Sequence, residues 1–329
     1  MKYGTFIPLF VLVFILDGYY RCTAEQLPLL GTITLPNVSG RIDHMAFDPK
    51  GNRLFIAALG NNTIEIINVR TARRIGTITG LKAPQNVLYL DEFECIVVSN
   101  AGDGTVRFFN SESLIGYRTL ELSDDADNMR YDSATKQIFV GYGNGAIAII
   151  DAEKGMLLKS IKLPGHPEAF VLEPNGKRIF VNIPSVDQVA VIDCEKMAQI
   201  AAWKVKGMGY NFPMALDENK HRLFIGFRAP ARLVVLSSDT GREITMMDCI
   251  GDVDDVFYNA VNGRIYLSGG AGGIDVFNQV DADHYIHIAR TLTAMGARTS
   301  LIVPECKSLY VAVPRLISRA AQIQEYGLR

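Results

Sequence analysis

"GNRLFIAALGNNTIEIINVRTARRIGTITG", Gly51 to Gly80, reads as turn, strand, Gly-Asn turn, strand, turn, strand. Its apolar runs are dominated by Ile, Leu and Phe and broken at Gly, Asn and Thr, the composition of short strands joined by tight turns. The pattern returns about forty residues on as "VVSNAGDGTVRFFNSES" and again as "QIFVGYGNGAIAIIDAEKG". The apolar pair that opens each second strand recurs seven times: Leu54-Phe55, Cys95-Ile96, Ile138-Phe139, Ile179-Phe180, Leu223-Phe224, Ile265-Tyr266 and Leu309-Tyr310. The spacing stays between 41 and 44 residues. The polar residue that ends each third strand keeps the same period at Asn68, Asn110, Asp151, Asp193, Ser237 and Asn278. Two independent markers with one period define a repeat.

No unit holds a long stretch of helical periodicity. A unit of about forty residues with four strand signals is a propeller blade. The sequence therefore predicts an all-β fold, a seven-bladed β-propeller of four-stranded antiparallel blades. The blades run roughly over 41–81, 82–125, 126–165, 166–209, 210–252, 253–296 and 297–329. The last blade lacks a fourth strand after "SLYVAV" and "AQIQEYGLR". The segment "LLGTITLP", Leu29 to Pro36, resembles the fourth strand "RIGTITG" at Arg74 to Gly80 and is expected to complete it. That pairing would close the ring and leave no exposed edge between first and last blades.

Composition limits what the propeller does. The 329 residues carry a net charge of −2 and are 48% hydrophobic, enough for a packed core and without the basic excess that nucleic-acid binding needs. Lys2 precedes "TFIPLFVLVFIL", an apolar run too short for a membrane helix but suited to the core of a secretory signal. "CTA" at Cys22 to Ala24 offers small residues for cleavage, so residues 1–24 read as a signal peptide and the location as periplasmic or secreted. A retained anchor is the alternative. No other segment is apolar and long enough to span a bilayer. Cys95, Cys194, Cys249 and Cys306 remain after cleavage, at spacings that fit no zinc or redox motif and leave their pairing open.

The stretches "DPKGNRLFIAALGNNTIEIINVRT", "EPNGKRIFVNIPSVDQVAVIDCEKM" and "IDAEKGMLLKSIKLPGHPEAF" resemble the YVTN-type, YncE-like repeat of exported bacterial seven-bladed propellers. The resemblance spans nearly the whole mature chain and implies the fold and export. It assigns no chemistry, and the literal tetrapeptide is replaced by variants such as "LFIA" and "IFVN".

Familiar catalytic signatures are absent. "GYGNGA", Gly141 to Ala146, is followed by another strand and not by the helix that a dinucleotide loop requires. There is no CxxCH, HExxH, Walker loop or GxSxG. His284 and His287 are three apart in a strand pattern and point to opposite faces.

The informative row lies eleven and ten residues before each second-strand marker. The first set is Asp43, Pro84, Asp127, Glu168, Phe212, Asp254 and Arg298; the second is His44, Gln85, Asn128, Ala169, Pro213, Asp255 and Thr299. These residues enter the innermost strands and should ring one mouth of the central channel, with Asp124, Asp125 and Asp252 in the loops just before. Short polar residues can serve such positions by satisfying backbone groups alone. Converging carboxylates equally suit a cation, and Asp127, Glu168 and Asp254 are the set expected to hold one such as Ca²⁺. The candidate binding residues for a small ligand or protein partner are thus Asp43, His44, Asp127, Asn128, Glu168, Asp254, Asp255 and Arg298. Arg298 offers a fork for an anionic group. No cofactor is identified. The enzymatic alternative is a lactonase- or lyase-like propeller, or a subunit of a quinone-dependent dehydrogenase, with His44 and Glu168 or Asp43 as an acid–base pair. One long insertion, Val313 to Gln322, brings Arg315 and Arg319 to the same face and could form a contact arm.

Overall fold

Each second strand is buried on both faces, and this sets the architecture. Leu54, Phe55, Ile56, Ala57 and Ala58 are all fully buried. Side chains alternate along a strand. Leu54 and Ile56 pack against Leu35, Tyr310 and Ile323 on one side, while Phe55 and Ala57 pack against Val87, Ile96 and Val98 on the other. A sheet with two buried faces needs a sheet on each side, and a ring of sheets supplies that everywhere.

The computed structural model describes residues 26–174 and 176–328. It contains seven four-stranded sheets. The first is Met45–Asp48, Arg53–Ala58, Thr63–Asn68 and Arg73–Ile78, ordered from the channel outward. All seven apolar pairs fall in second strands, and the polar markers end the third strands except in the sixth blade, where the strand runs one residue further to Gln279. The segment read as a signal peptide, residues 1–24, lies outside the described residues. Among the described residues no helix is long and apolar enough to cross a membrane. Among the described residues the four cysteines sit on separate blades with free thiols, and Cys95 is buried.

The ring closes as expected. Leu29–Leu35 pairs antiparallel with Ala321–Gly327, with Ile33 opposite Ile323 and Leu35 opposite Ala321. Gly327 N–H donates to the Pro28 carbonyl at 2.9 Å. The seventh sheet thus takes its outermost strand from the N-terminal side of the chain.

Fourth strands face solvent on the circumference, and their sequences show it: Arg73–Ile78 is "RRIGTI", exposed over most of its length. First strands line the channel. On one side of the molecule the channel is a chamber of about 830 Å³ walled by residues such as Phe47, Leu88, Tyr131, Leu216, Tyr258 and Leu301. On the other it narrows to a cavity of about 60 Å³. His44, Met214, Arg130 and Asp255 line both spaces and form the partition.

Candidate functional site

The narrow end is built by the loops that enter the first strands. A shared backbone frame fixes them. The N–H of Asp43 donates to Ala57 O at 2.7 Å, that of Asp127 to Gly141 O at 2.9 Å, and that of Glu168 to Asn182 O at 2.9 Å. The reciprocal bonds run from Ala57 to His44 O, from Gly141 to Asn128 O and from Asn182 to Ala169 O. One position in the repeat is therefore one place in space. Side chains tie neighbouring blades at the same level: Ser99 Oγ donates to Asp127 O at 2.6 Å, and Ser268 Oγ to Arg298 O at 2.6 Å. Gly60 is needed for the entry into Arg41. Its N–H donates to Arg41 O at 2.9 Å, and a Cβ there would lie 2.7 Å from the Gly40 Cα.

Seven of the eight sequence-predicted residues meet around the 60 Å³ cavity: Asp43, His44, Asp127, Asn128, Glu168, Asp254 and Asp255. Arg298 is not among its walls. Its guanidinium turns aside to Asp252 at 2.8 Å. The insertion at 313–322 also stays off the cavity walls and folds back on itself through a bridge between Leu316 and Arg319.

Four residues that the row did not contain complete the site. Arg41 Nη2 stands 2.6 Å from Asp43 Oδ2 and 4.0 Å from Asp254 Oδ2. Arg228 pairs with Asp254, donates to Val253 O at 2.9 Å and lies 3.7 Å over the Phe212 ring. Arg130 is held by its own Met129 carbonyl at 2.7 Å. His166, in the loop before Glu168, contacts Asp127 without being among the cavity walls. Its Nδ1 is 2.6 Å from Gly143 O and its Nε2 is 3.4 Å from Asp127 Oδ2. The glycine turn of "GYGNGA" thus presents a carbonyl to the imidazole, with Gly143 at φ +59°.

The expected cation set changes accordingly. Asp127, His166 and Glu168 bring one ligand atom each within 4.8 Å of one another. Asp254 belongs instead with Arg41 and Arg228.

Burial and crowding shift the protonation of the site. Burial first, then the Asp127 charge, lifts Glu168 to about 8. Asp255 is pushed up to about 8 by burial and by Asp254. Asp43 and Asp254 are raised for the same primary reason, with guanidiniums opposing. Burial lowers His44 to about 4, so the imidazole between Asp43 and Asp255 is neutral. For His166 burial opposes the charge, but the bonds to Asp127 and Gly143 outweigh it and raise the group to about 9. Protons partly stand in here for missing positive charge. Buried acceptors remain without a partner: Asn128 Oδ1, Asp254 Oδ2 and Asp43 Oδ2, the last close to Arg41 but off the hydrogen-bond direction.

No family model matches the chain. Solved structures match its fold closely. The WD40 repeats of RRP9 superpose with a TM-score of 0.78 at 10% identity, over 92% of this chain and 99% of that one. A chain of the mitotic checkpoint complex gives 0.77 at 11% identity, over 98% and 99%. A chain of Kuenenia stuttgartiensis hydrazine synthase gives 0.73 at 14% identity, over 90% and 96%. At such identities the likeness establishes a WD40-like seven-bladed propeller and nothing about chemistry.

Proposed function

We propose that this chain is an exported binding propeller of the YVTN-type, YncE-like kind, whose ligand presents positive charge to the narrow channel mouth. The export half of the reading rests on the N-terminal apolar run and the "CTA" site, together with the repeat resemblance. The binding half rests on one observation: carboxyl groups from the first, third, fourth and sixth blades, buried except for the half-buried Glu168 and Asp254, converge on one small cavity. Like charges brought together out of water cost stability unless a proton or a cation joins them. A site kept for stability alone would place a matched base beside each acid.

An acid–base propeller enzyme is the second reading. It is favoured by the inversion of Glu168, held near 8, and His44, held near 4, across one cavity.

Thermal unfolding in the presence of Ca²⁺, Mn²⁺, Zn²⁺ and an arginine-bearing peptide tests the binding reading. A ligand that prefers the native state raises the midpoint by mass action. At least one probe should do so, and the effect should shrink in a chain carrying both Asp127→Asn and Asp254→Asn. If no positive probe moves the midpoint, the reading is wrong. Intact-mass analysis of the exported protein tests the other half: the reading requires a chain starting near Glu25, and retention of residues 1–24 contradicts it.

A further inference from the structure

We propose that Asp127, His166 and Glu168 form a site for a divalent transition metal, with the amide oxygen of Asn128 as a fourth donor. The proposal rests on the positive-ligand reading of the mouth and names the ligand class.

Three features carry it. The first is geometry. Asp127 and Glu168 each stand two residues before the inner strand of adjacent blades, and His166 precedes Glu168 by two residues; one ligand atom from each lies within 4.8 Å of the others. The second is the orientation of the imidazole. Nδ1 lies 2.6 Å from the Gly143 carbonyl, an acceptor only, so Nδ1 carries the hydrogen. In the neutral ring this leaves the Nε2 lone pair directed at Asp127, and a backbone carbonyl holding the far nitrogen is the usual support of a metal-bound histidine. The third is an unpartnered donor. Asn128 is only 3% exposed, lines the same cavity, and gives its Nδ2 hydrogen to Asp127 Oδ1 at 3.3 Å. Its Oδ1 has no partner. Flipping the amide would set two oxygens against each other, so the free oxygen is the consistent arrangement. A buried acceptor left open on a cavity wall calls for a cation or a bound water.

The size and the charge agree. The cavity of about 60 Å³, walled by Asp127, Asn128 and Glu168 of this set, admits an ion with one or two waters and is too small for a sugar or nucleotide ring. Among the described residues no arginine or lysine stands within ion-pair distance of Asp127 or Glu168, whereas Asp43 and Asp254 are matched by Arg41 and Arg228. Calcium prefers an all-oxygen shell. An imidazole between two carboxylates suits zinc or manganese better.

The test is isothermal titration of the EDTA-treated chain with Zn²⁺, Mn²⁺ and Ca²⁺. It is run in a His284→Ala background, because the exposed pair of His284 and Asp281 could take up zinc on its own. One Zn²⁺ per chain is expected, with Ca²⁺ bound far more weakly. His166→Gln should weaken zinc by about 100-fold and Asn128→Ala by about 10-fold. Glu112→Gln, at an exposed carboxylate paired with Arg53 away from the cavity, should leave zinc affinity within a factor of about three. Co²⁺ provides a second readout: its visible absorption should appear in the parent and be lost or altered in His166→Gln, with circular dichroism confirming that each variant is folded. Zinc binding unaffected by His166→Gln overturns the proposal. So does a chain that binds no metal while an arginine-bearing peptide still raises its melting temperature, a result that leaves the positive-ligand reading intact. Failure of every positive probe overturns both.

Discussion

Two groups of acids are buried in this propeller, and they are treated differently. Glu65 and Asp275 occupy the same position in the third strands of the first and sixth blades, and both are shut off from water. Glu65 receives Arg74 at 3.0 Å, Thr77 at 2.9 Å and Thr63 at 2.7 Å. Asp275 receives both arms of Arg290, at 2.6 and 2.7 Å, and the Ile250 N–H at 2.7 Å. Each arginine comes from the adjoining fourth strand of the same blade. Asp127 and Glu168 at the mouth have no such guanidinium. Where an acid serves the blade, the blade supplies its counter-charge. Where acids from several blades converge, Arg41 and Arg228 answer Asp43 and Asp254, and the charge of Asp127 and Glu168 is left to His166, to protons or to a visitor.

The comparison presupposes a closed ring, and opening the ring should have the largest effect. Deleting 29–35 removes the outermost strand of the seventh sheet and exposes a row of unpaired backbone groups. Aggregation or loss of cooperative unfolding is expected. A truncated chain that melts with the parent would refute the closure.

Next comes a direct break of a matched acid. Asp275→Ala leaves Arg290 and the Ile250 N–H without their acceptor. Because Arg290 is 42% exposed, water recovers part of the loss, and a destabilisation of about 2–3 kcal/mol in urea unfolding is expected. A loss below about 0.5 kcal/mol would show that the pairing is incidental.

The pH dependence separates the two groups more finely. Glu168 and Asp255 bind protons more tightly folded than unfolded, being held near 8 against ordinary values of 4.5 and 3.8. His166 does the same, near 9 against 6.5. For each, the folded state holds more protons than the unfolded one, so stability falls as pH rises. His44, lowered from 6.5 to about 4, acts in the opposite sense, but only between those two values. Between pH 6.5 and 8 the three raised groups act together, with His166 continuing alone to about 9, and the metal-free melting temperature should decline. Glu168→Gln should flatten that decline, and an unchanged slope would contradict the assignment.

The smallest effect belongs to Arg298. It pairs with Asp252 at 2.8 Å where both side chains are about a third exposed, so Arg298→Ala should cost less than about 1 kcal/mol. It should also leave binding at the mouth unchanged. A large loss of ligand response would return Arg298 to the site.

The sequence made the ring and much of its mouth legible because both follow the repeat. Asp43, Asp127 and Glu168 share one backbone frame, so counting from the second-strand markers finds them. Arg41, Arg130, Arg228 and His166 lie off the counted row; the first two reach the cavity and the other two its acids, Asp254 and Asp127, along paths that the period does not encode. His166 left one trace, its place two residues before Glu168 in "GHPE". Arg298 misled because its blade position matches the acids while Asp252, brought in by a neighbouring loop, captures it. Irregular pairing at Pro84/Asn86, Asn211/Met214 and Val253/Asp255 marks where the count is least exact.

The most direct measurement sets one glutamate against the other. Glu65→Gln and Glu168→Gln make the same substitution at a buried and a half-buried place, and both variants can be unfolded in EDTA at pH 7.5 beside the parent. The account predicts opposite signs: Glu65→Gln loses about 1–3 kcal/mol because Arg74 keeps its charge without a partner, while Glu168→Gln is neutral or gains up to about 1 kcal/mol. Equal losses would contradict it, since they would mean that the mouth acids are held for stability like the rest.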